Sequence, residues 1–143
     1  MKKEKITFLK PKKGNSIGQW LIEQGISAGF PSPADDFKEI RISLDRELVK
    51  NPEATFYAKV SGDSMIKAGI EDGDILVIDR SLNPQNGKIA VCFVDGEFTV
   101  KRIEVKKKCI YLNAENPNYK PLKLTKENQL IIWGIVTYVI KKL

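Results

Sequence analysis

Ser64, in the run Val60-Ser-Gly-Asp-Ser-Met-Ile66, and Lys101, in the run Glu97-Phe-Thr-Val-Lys-Arg-Ile103, lie 37 positions apart in a chain that contains no histidine. A serine hydroxyl is a weak nucleophile at its own pKa and needs a base within hydrogen-bond reach. With no imidazole in the sequence, Ser-His-Asp chemistry is excluded and a Ser-Lys pair stays open. In such a pair the amine must be neutral, a state that burial away from water favours. Gly62 allows a tight backbone just before Ser64. The stretch Ser64–Ala68 is able to form one helical turn, which makes the backbone N–H groups of Ser64 and Met65 candidate oxyanion-hole donors. Each residue also has a plain structural reading. Ser or Asp beside Gly commonly caps a loop, and a strand lysine commonly lays its stem on apolar surface with the ammonium in water. Asp63, without a histidine to orient, has no evident catalytic task.

The elements that must carry this pair are strands. Thr55–Val60, Ile75–Asp79, Lys88–Val94, Glu97–Val105, Cys109–Asn113 and Leu130–Ile140 are rich in Val, Ile, Phe and Tyr, with turn signals at Asn86-Gly87, Asp95-Gly96 and Asn116-Pro117. Asp95-Gly96 between two apolar runs is a strong hairpin signal. In 98–105, period-2 alternation sets Thr99, Lys101, Ile103 and Val105 on one face, and Phe98, Val100, Arg102 and Glu104 on the other. A short helix over Leu44–Lys50, with Ser43 as N-cap, ends at Asn51-Pro52. The run Leu130–Ile140 is apolar on both faces, so it belongs in the middle of a sheet or under a subunit contact. The fold class expected is mostly β, with compact rolled or barrel-like antiparallel sheets and a flexible N-terminal arm.

Residues 1–40 form that arm and residues 41–143 the β domain. The arm contains Trp20, Leu21 and Ile22, too short a segment to fold alone, and then Gly25 to Ala34, whose glycines and prolines forbid regular helix. The formal charge of +6 is concentrated at the start: six lysines against Glu4 in residues 1–13 make +5 of it. The net charge therefore reports a solvated basic tail, and no direct specific DNA binding is expected of the domain. No apolar stretch reaches the roughly 18 residues of a membrane span, and Ile6–Leu9 is too short for a signal-peptide core, so a cytoplasmic address without membrane association is expected. Cys92 and Cys109 sit in apolar strand runs and read as buried thiols. Neither a disulfide, nor a metal, nor a cofactor is expected.

Ser61-Gly-Asp-Ser-Met65, then Gly69-Ile-Glu-Asp-Gly-Asp74, then Asp95-Gly-Glu-Phe-Thr-Val-Lys-Arg102 resemble the self-cleaving peptidase domain shared by LexA, the phage repressors and the UmuD proteins of SOS mutagenesis. The likeness is closest to the UmuD branch. Gly29-Phe-Pro-Ser-Pro-Ala34 is similar to the segment after its cleavage bond, and the pattern continues through Pro117–Pro121 and Trp133–Val136, spanning roughly residues 25–143. The resemblance implies Ser64 as nucleophile, Lys101 as its base and a scissile bond at Ala28-Gly29. It further implies a homodimer, self-cleavage stimulated by the RecA filament on single-stranded DNA, and a shortened product serving a UmuC-type translesion polymerase. LexA and the phage repressors carry a helix-turn-helix domain ahead of the peptidase, and about 40 residues without paired amphipathic helices do not supply one. A LexA-like transcriptional regulator is the second reading. A nonenzymatic β domain that only binds a partner, with Ser64 a turn residue and Lys101 a snorkelling lysine, is the third.

Overall fold

The computed structural model describes residues 5–10, 19–22, 39–125 and 130–143. The chain divides into two units, one of Met1–Pro11 with Asn51–Leu143, the other of Lys12–Lys50. In the smaller unit, β2 (Gln19–Ile22) pairs antiparallel with β3 (Glu39–Ile42), and the short helix α1 (Leu44–Leu48) follows. Ser43 occupies the expected N-cap position but makes no side-chain capping hydrogen bond.

The larger unit carries the catalytic candidates on a single antiparallel sheet of eight strands. These are β1 (Lys5–Leu9), β4 (Thr55–Ser61), β5 (Ile75–Asp79), β6 (Ile89–Val94), β7 (Glu97–Lys106), β8 (Cys109–Asn113), β9 (Leu122–Lys123) and β10 (Leu130–Ile140). Their order across the sheet is β1-β4-β5-β10-β6-β7-β8-β9. The mostly β, antiparallel expectation holds, and the sheet is rolled without closing into a barrel. Its curl brings the first strand over the seventh: Phe8 lies 4.8 Å from Phe98 and 4.5 Å from Trp133 between ring centroids. Such edge-on aromatic contacts add to the burial of the rings themselves.

Lys5–Leu9 falls in the stretch read from sequence as a solvated tail, and here it is an edge strand in register with β4, Ile6 opposite Val60 and Phe8 opposite Ala58. Three apolar residues set among six lysines in the first thirteen positions are a strand signal hidden by the charge around them. Lys10 closes the strand, its ammonium 4.1 Å from the Phe56 ring centroid and donating to the Glu53 carbonyl.

Strand alternation divides the core in two. Ala58, Val60, Met65, Ile70, Leu76, Ile78, Val91 and Val100 form one buried cluster; Ala90, Cys92, Ile103, Leu112 and Ile135 form the other. Val91 against Ala90 and Cys92 on β6, and Val100 against Ile103 on β7, display the period of 2 that sequence alternation called for. β10 lies centrally, between β5 and β6, as its two-sided apolar character requires, and its register shifts between Ile132 and Gly134 and again between Val136 and Tyr138. Gly134 is required at the first irregularity, because an added Cβ would meet Ile78 Cγ2 at 2.6 Å.

The β6–β7 hairpin turns at Asp95-Gly96 with φ of 47° and 84°, the left-handed pair of a type I′ turn. The β7–β8 hairpin imposes the same hand on Lys107 and Lys108 (φ 46° and 64°), residues with no intrinsic taste for it, which is why no turn signal stands there in the sequence.

Candidate active site

β4 delivers Ser64 at its far end. The chain leaves the strand at Gly62 (φ 111°), whose N–H donates to Asp72 Oδ1 at 2.9 Å, while Gly73 N–H returns to the Val60 carbonyl at 2.8 Å. Met65 turns inward and is 2% exposed in the first core cluster, which anchors the loop beside Ser64. The helical turn expected over Ser64–Ala68 forms only as a 3-10 turn at Ile66–Ala68, closed by Gly69 at φ 79°. Ser64 thus precedes the turn, and its side chain is 1% exposed.

Lys101 reaches that serine from the middle of β7. Its Nζ lies 3.3 Å from Ser64 Oγ, 2.8 Å from Thr99 Oγ1 and 3.1 Å from the Val100 carbonyl oxygen. Three acceptors match the three N–H bonds of an ammonium. In the neutral amine, two N–H groups held by Thr99 and Val100 aim the nitrogen lone pair at the Ser64 hydroxyl, the geometry a general base needs. Thr99 shares a face with Lys101 as alternation requires, and sequence reasoning gave it no role. Its signal was available: a hydroxyl two residues before a lysine on one strand face.

Small partners make room for the lysine stem. Across the β6–β7 ladder, Lys101 is opposite Ala90 and Thr99 opposite Cys92, both fully buried. Burial pushes the Cys92 thiol up to about 12, only partly offset by the nearby Lys101 charge, so this cysteine is a neutral packing group and not a second nucleophile. Cys92 and Cys109 are both free; Cys92 is buried as expected, whereas Cys109 at the start of β8 is half-buried.

A second loop, 114–119, grips the Ser64 loop. Lys67 N–H donates to the Glu115 carbonyl at 2.9 Å, Asn116 Nδ2 to the Asp63 carbonyl at 2.9 Å, and the Tyr119 hydroxyl to Asp63 Oδ1 at 2.7 Å. Glu115 in turn accepts from Arg102 Nε at 2.5 Å, next to Lys101 on β7. The sequence offered Asn116-Pro117 as a turn and nothing more. The cleavage bond expected at Ala28-Gly29 lies outside the described residues. Among the described residues, no group of three or more His, Cys, Asp or Glu is placed to hold a metal ion, and no helix is long and apolar enough to cross a membrane.

A model of the Peptidase S24-like family matches residues 21–137, most of the chain and both members of the Ser-Lys pair. The chain belongs to the S24-like peptidase family. Among its relatives, Protein ImpA of Salmonella typhimurium is 38% identical over 133 residues, covering 92% of this chain and 90% of ImpA. Protein MucA of Escherichia coli is 42% identical over 118 residues, covering 80% and 79%. The LexA repressor of Aliivibrio salmonicida (strain LFI1238) is 35% identical over 138 residues, 96% of this chain and 66% of the repressor. The resemblance carried by Ser61–Met65 and Asp95–Arg102 is therefore borne out for the S24-like family as a whole.

Proposed function

We propose that this S24-like peptidase cuts its own chain between Ala28 and Gly29, with Ser64 as nucleophile and Lys101 as base. The observation that carries the reading is the approach of Lys101 Nζ to 3.3 Å from a buried Ser64 Oγ, with Thr99 and Val100 holding the amine in place. Ser64 Oγ attacks the Ala28 carbonyl carbon while its proton passes to the neutral Lys101 amine. Backbone N–H groups of Ser64 and Met65 receive the negative oxygen of the tetrahedral intermediate. Collapse breaks the Ala28–Gly29 C–N bond as Lys101 returns the proton to the departing Gly29 nitrogen, leaving Ala28 as an ester on Ser64. Water then attacks the ester, Lys101 takes its proton and passes it to Ser64 Oγ, and the Ala28 carboxylate is released.

The high coverage of ImpA and MucA supports a UmuD-type role in SOS mutagenesis. In this reading the RecA filament on single-stranded DNA stimulates the cut in the cytoplasm. The product, shortened by 28 residues and reduced in net charge from +6 to about +2, serves as accessory subunit of an error-prone UmuC-type polymerase. The acting form is a homodimer, for which the exposed apolar end of β10, Tyr138, Val139 and Ile140, offers contact area. Light scattering at micromolar concentration tests this: twice the chain mass is expected, and a monomer before and after cutting excludes the dimer.

The deciding experiment is incubation of the purified chain at pH about 10, near the pKa of a free lysine amine, and in parallel at neutral pH with RecA, nucleotide and single-stranded DNA. Intact mass should resolve into two fragments meeting at Ala28-Gly29. Persistence of the full-length mass in both arms overturns the reading and leaves a binding domain.

A further inference from the structure

We propose that the loop 114–119 acts as a clamp on the nucleophile, with Tyr119 and Asn116 as positioning residues for Ser64. This rests on the self-cleaving reading of the site. Asp63 is held at two points: its carboxylate accepts from the Tyr119 hydroxyl at 2.7 Å and its main-chain carbonyl from Asn116 Nδ2 at 2.9 Å. The carbonyl is the informative one. The peptide joining Asp63 to Ser64 is planar and, like every peptide among the described residues, trans, so its C=O and N–H point in opposite directions. The Asp63 carbonyl also accepts from Ile66 N–H at 3.3 Å within the turn, so Asn116 and the turn together fix the direction of the Ser64 N–H, a candidate donor to the tetrahedral oxygen. Asn116 is itself braced: it is 8% exposed, its Oδ1 accepts from Asn118 N–H at 3.0 Å and its carbonyl from Tyr119 N–H at 3.1 Å.

The clamp also reaches the base. Lys67 N–H to the Glu115 carbonyl ties the loop to the turn after Ser64, and Arg102 to Glu115 ties it to β7 one residue past Lys101. The Tyr119 ring stands 5.7 Å from Lys101 Nζ. One loop thereby ties the turn that carries Ser64 to the strand that carries Lys101, and Asp63 acquires a task that needs no histidine: it is the handle by which Ser64 is aimed.

The test uses the full chain and two rates. One is self-cutting at alkaline pH; the other is the mass gain from diisopropyl fluorophosphate, in which the Ser64 Oγ–P bond forms, the P–F bond breaks, fluoride leaves and the Oγ proton passes to Lys101. The small probe needs the aimed serine but not the docked arm. Tyr119→Phe removes only the hydroxyl and is expected to slow both rates by about five- to tenfold, the scale of one lost hydrogen bond. Asp63→Ala should slow both by a similar factor, the double variant no further, and Asp63→Asn, which keeps an accepting oxygen, should recover most of the loss seen in Asp63→Ala. Wild-type rates in Tyr119→Phe, or additive losses in the double variant, overturn the clamp. Slower cutting with unchanged labelling also overturns it, assigning Tyr119 to the arm. A wild-type chain that neither cuts nor takes the label overturns the self-cleaving reading and the clamp with it; a wild-type chain that cuts beside fully active variants removes the clamp alone.

Discussion

A lysine amine that donates to Thr99 Oγ1 and to the Val100 carbonyl is held by its own strand, and what remains of its geometry faces Ser64. The proposed chemistry depends on that amine losing and regaining a proton, which sets the residue-scale prediction. Ser64→Ala and Lys101→Ala are each expected to abolish cutting, and the pair together to cost no more than either alone, because in the proposed mechanism nucleophile and base act as one unit. Lys101→Arg keeps the charge but is expected to be inactive as well, since a guanidinium does not give up its proton. Intact-mass time courses at pH about 10 measure all four. A Lys101→Arg chain that cuts at the wild-type rate would show that lysine is not the base.

At the scale of the element, two positions carry loads that can be measured separately. Asp79 ends β5 with its side chain buried. Burial by itself would raise its carboxyl, but hydrogen bonds from the Ser81 hydroxyl, the Asn51 amide and the Ser81 N–H outweigh that and hold it below the ordinary value. A carboxyl depressed in the folded state stabilises the fold fully above the unfolded value of about 3.9, and that stability is lost as pH falls through the lower folded value. Urea unfolding from pH 7 down to pH 3 should therefore show a smaller acid loss in Asp79→Asn than in the wild type, from a lower starting stability. At Gly134 the load is steric. An alanine there forces its Cβ into Ile78 in the middle of the sheet, so Gly134→Ala is expected to cost about 1–3 kcal/mol in urea unfolding.

For the whole molecule, the decisive fact is that its first strand belongs to the body. β1 is laddered to β4, and Phe8 joins an aromatic group that includes Phe98 and Trp133, with Phe56 5.0 Å and Phe98 5.9 Å from the Trp133 ring. Phe8→Ala should lower unfolding free energy by about 2–3 kcal/mol, less than a fully buried phenylalanine because the ring is half-buried. It should also perturb Trp133 fluorescence. The proposed cut at Ala28-Gly29 leaves β1 on the fragment side of the break, so the fragment is expected to co-elute with the body in gel filtration at neutral pH. It should separate more readily in the Phe8→Ala chain. Immediate separation of the wild-type fragment would mean that the ladder of β1 is too weak to hold without the covalent link.

The sequence by itself narrowed the candidate chemistry and determined most of the strands. A chain without histidine excludes Ser-His-Asp catalysis and leaves a Ser-Lys pair open, and that conclusion needs no coordinates. Ile75–Asp79, Cys109–Asn113 and Leu130–Ile140 were legible to the residue because β-branched runs between turn residues are a local signal, and the face carrying Lys101 was legible because strand alternation is strictly of period 2. Tertiary structure decided what no local pattern encodes. β9 is too short to announce itself, β1 is masked by the lysines around it, and both exist through their partners; Lys107 and Lys108 take left-handed φ because the hairpin twist demands it, and the sheet rolls without closing. The grip of Asn116 and Tyr119 on Asp63 spans more than fifty residues of chain, and the meeting of Lys101 with Ser64 spans 37. Contacts of that kind arise only when distant strands are brought side by side, because a hydrogen bond acts over about 3 Å and chain separation carries no information about it until the fold has closed the distance.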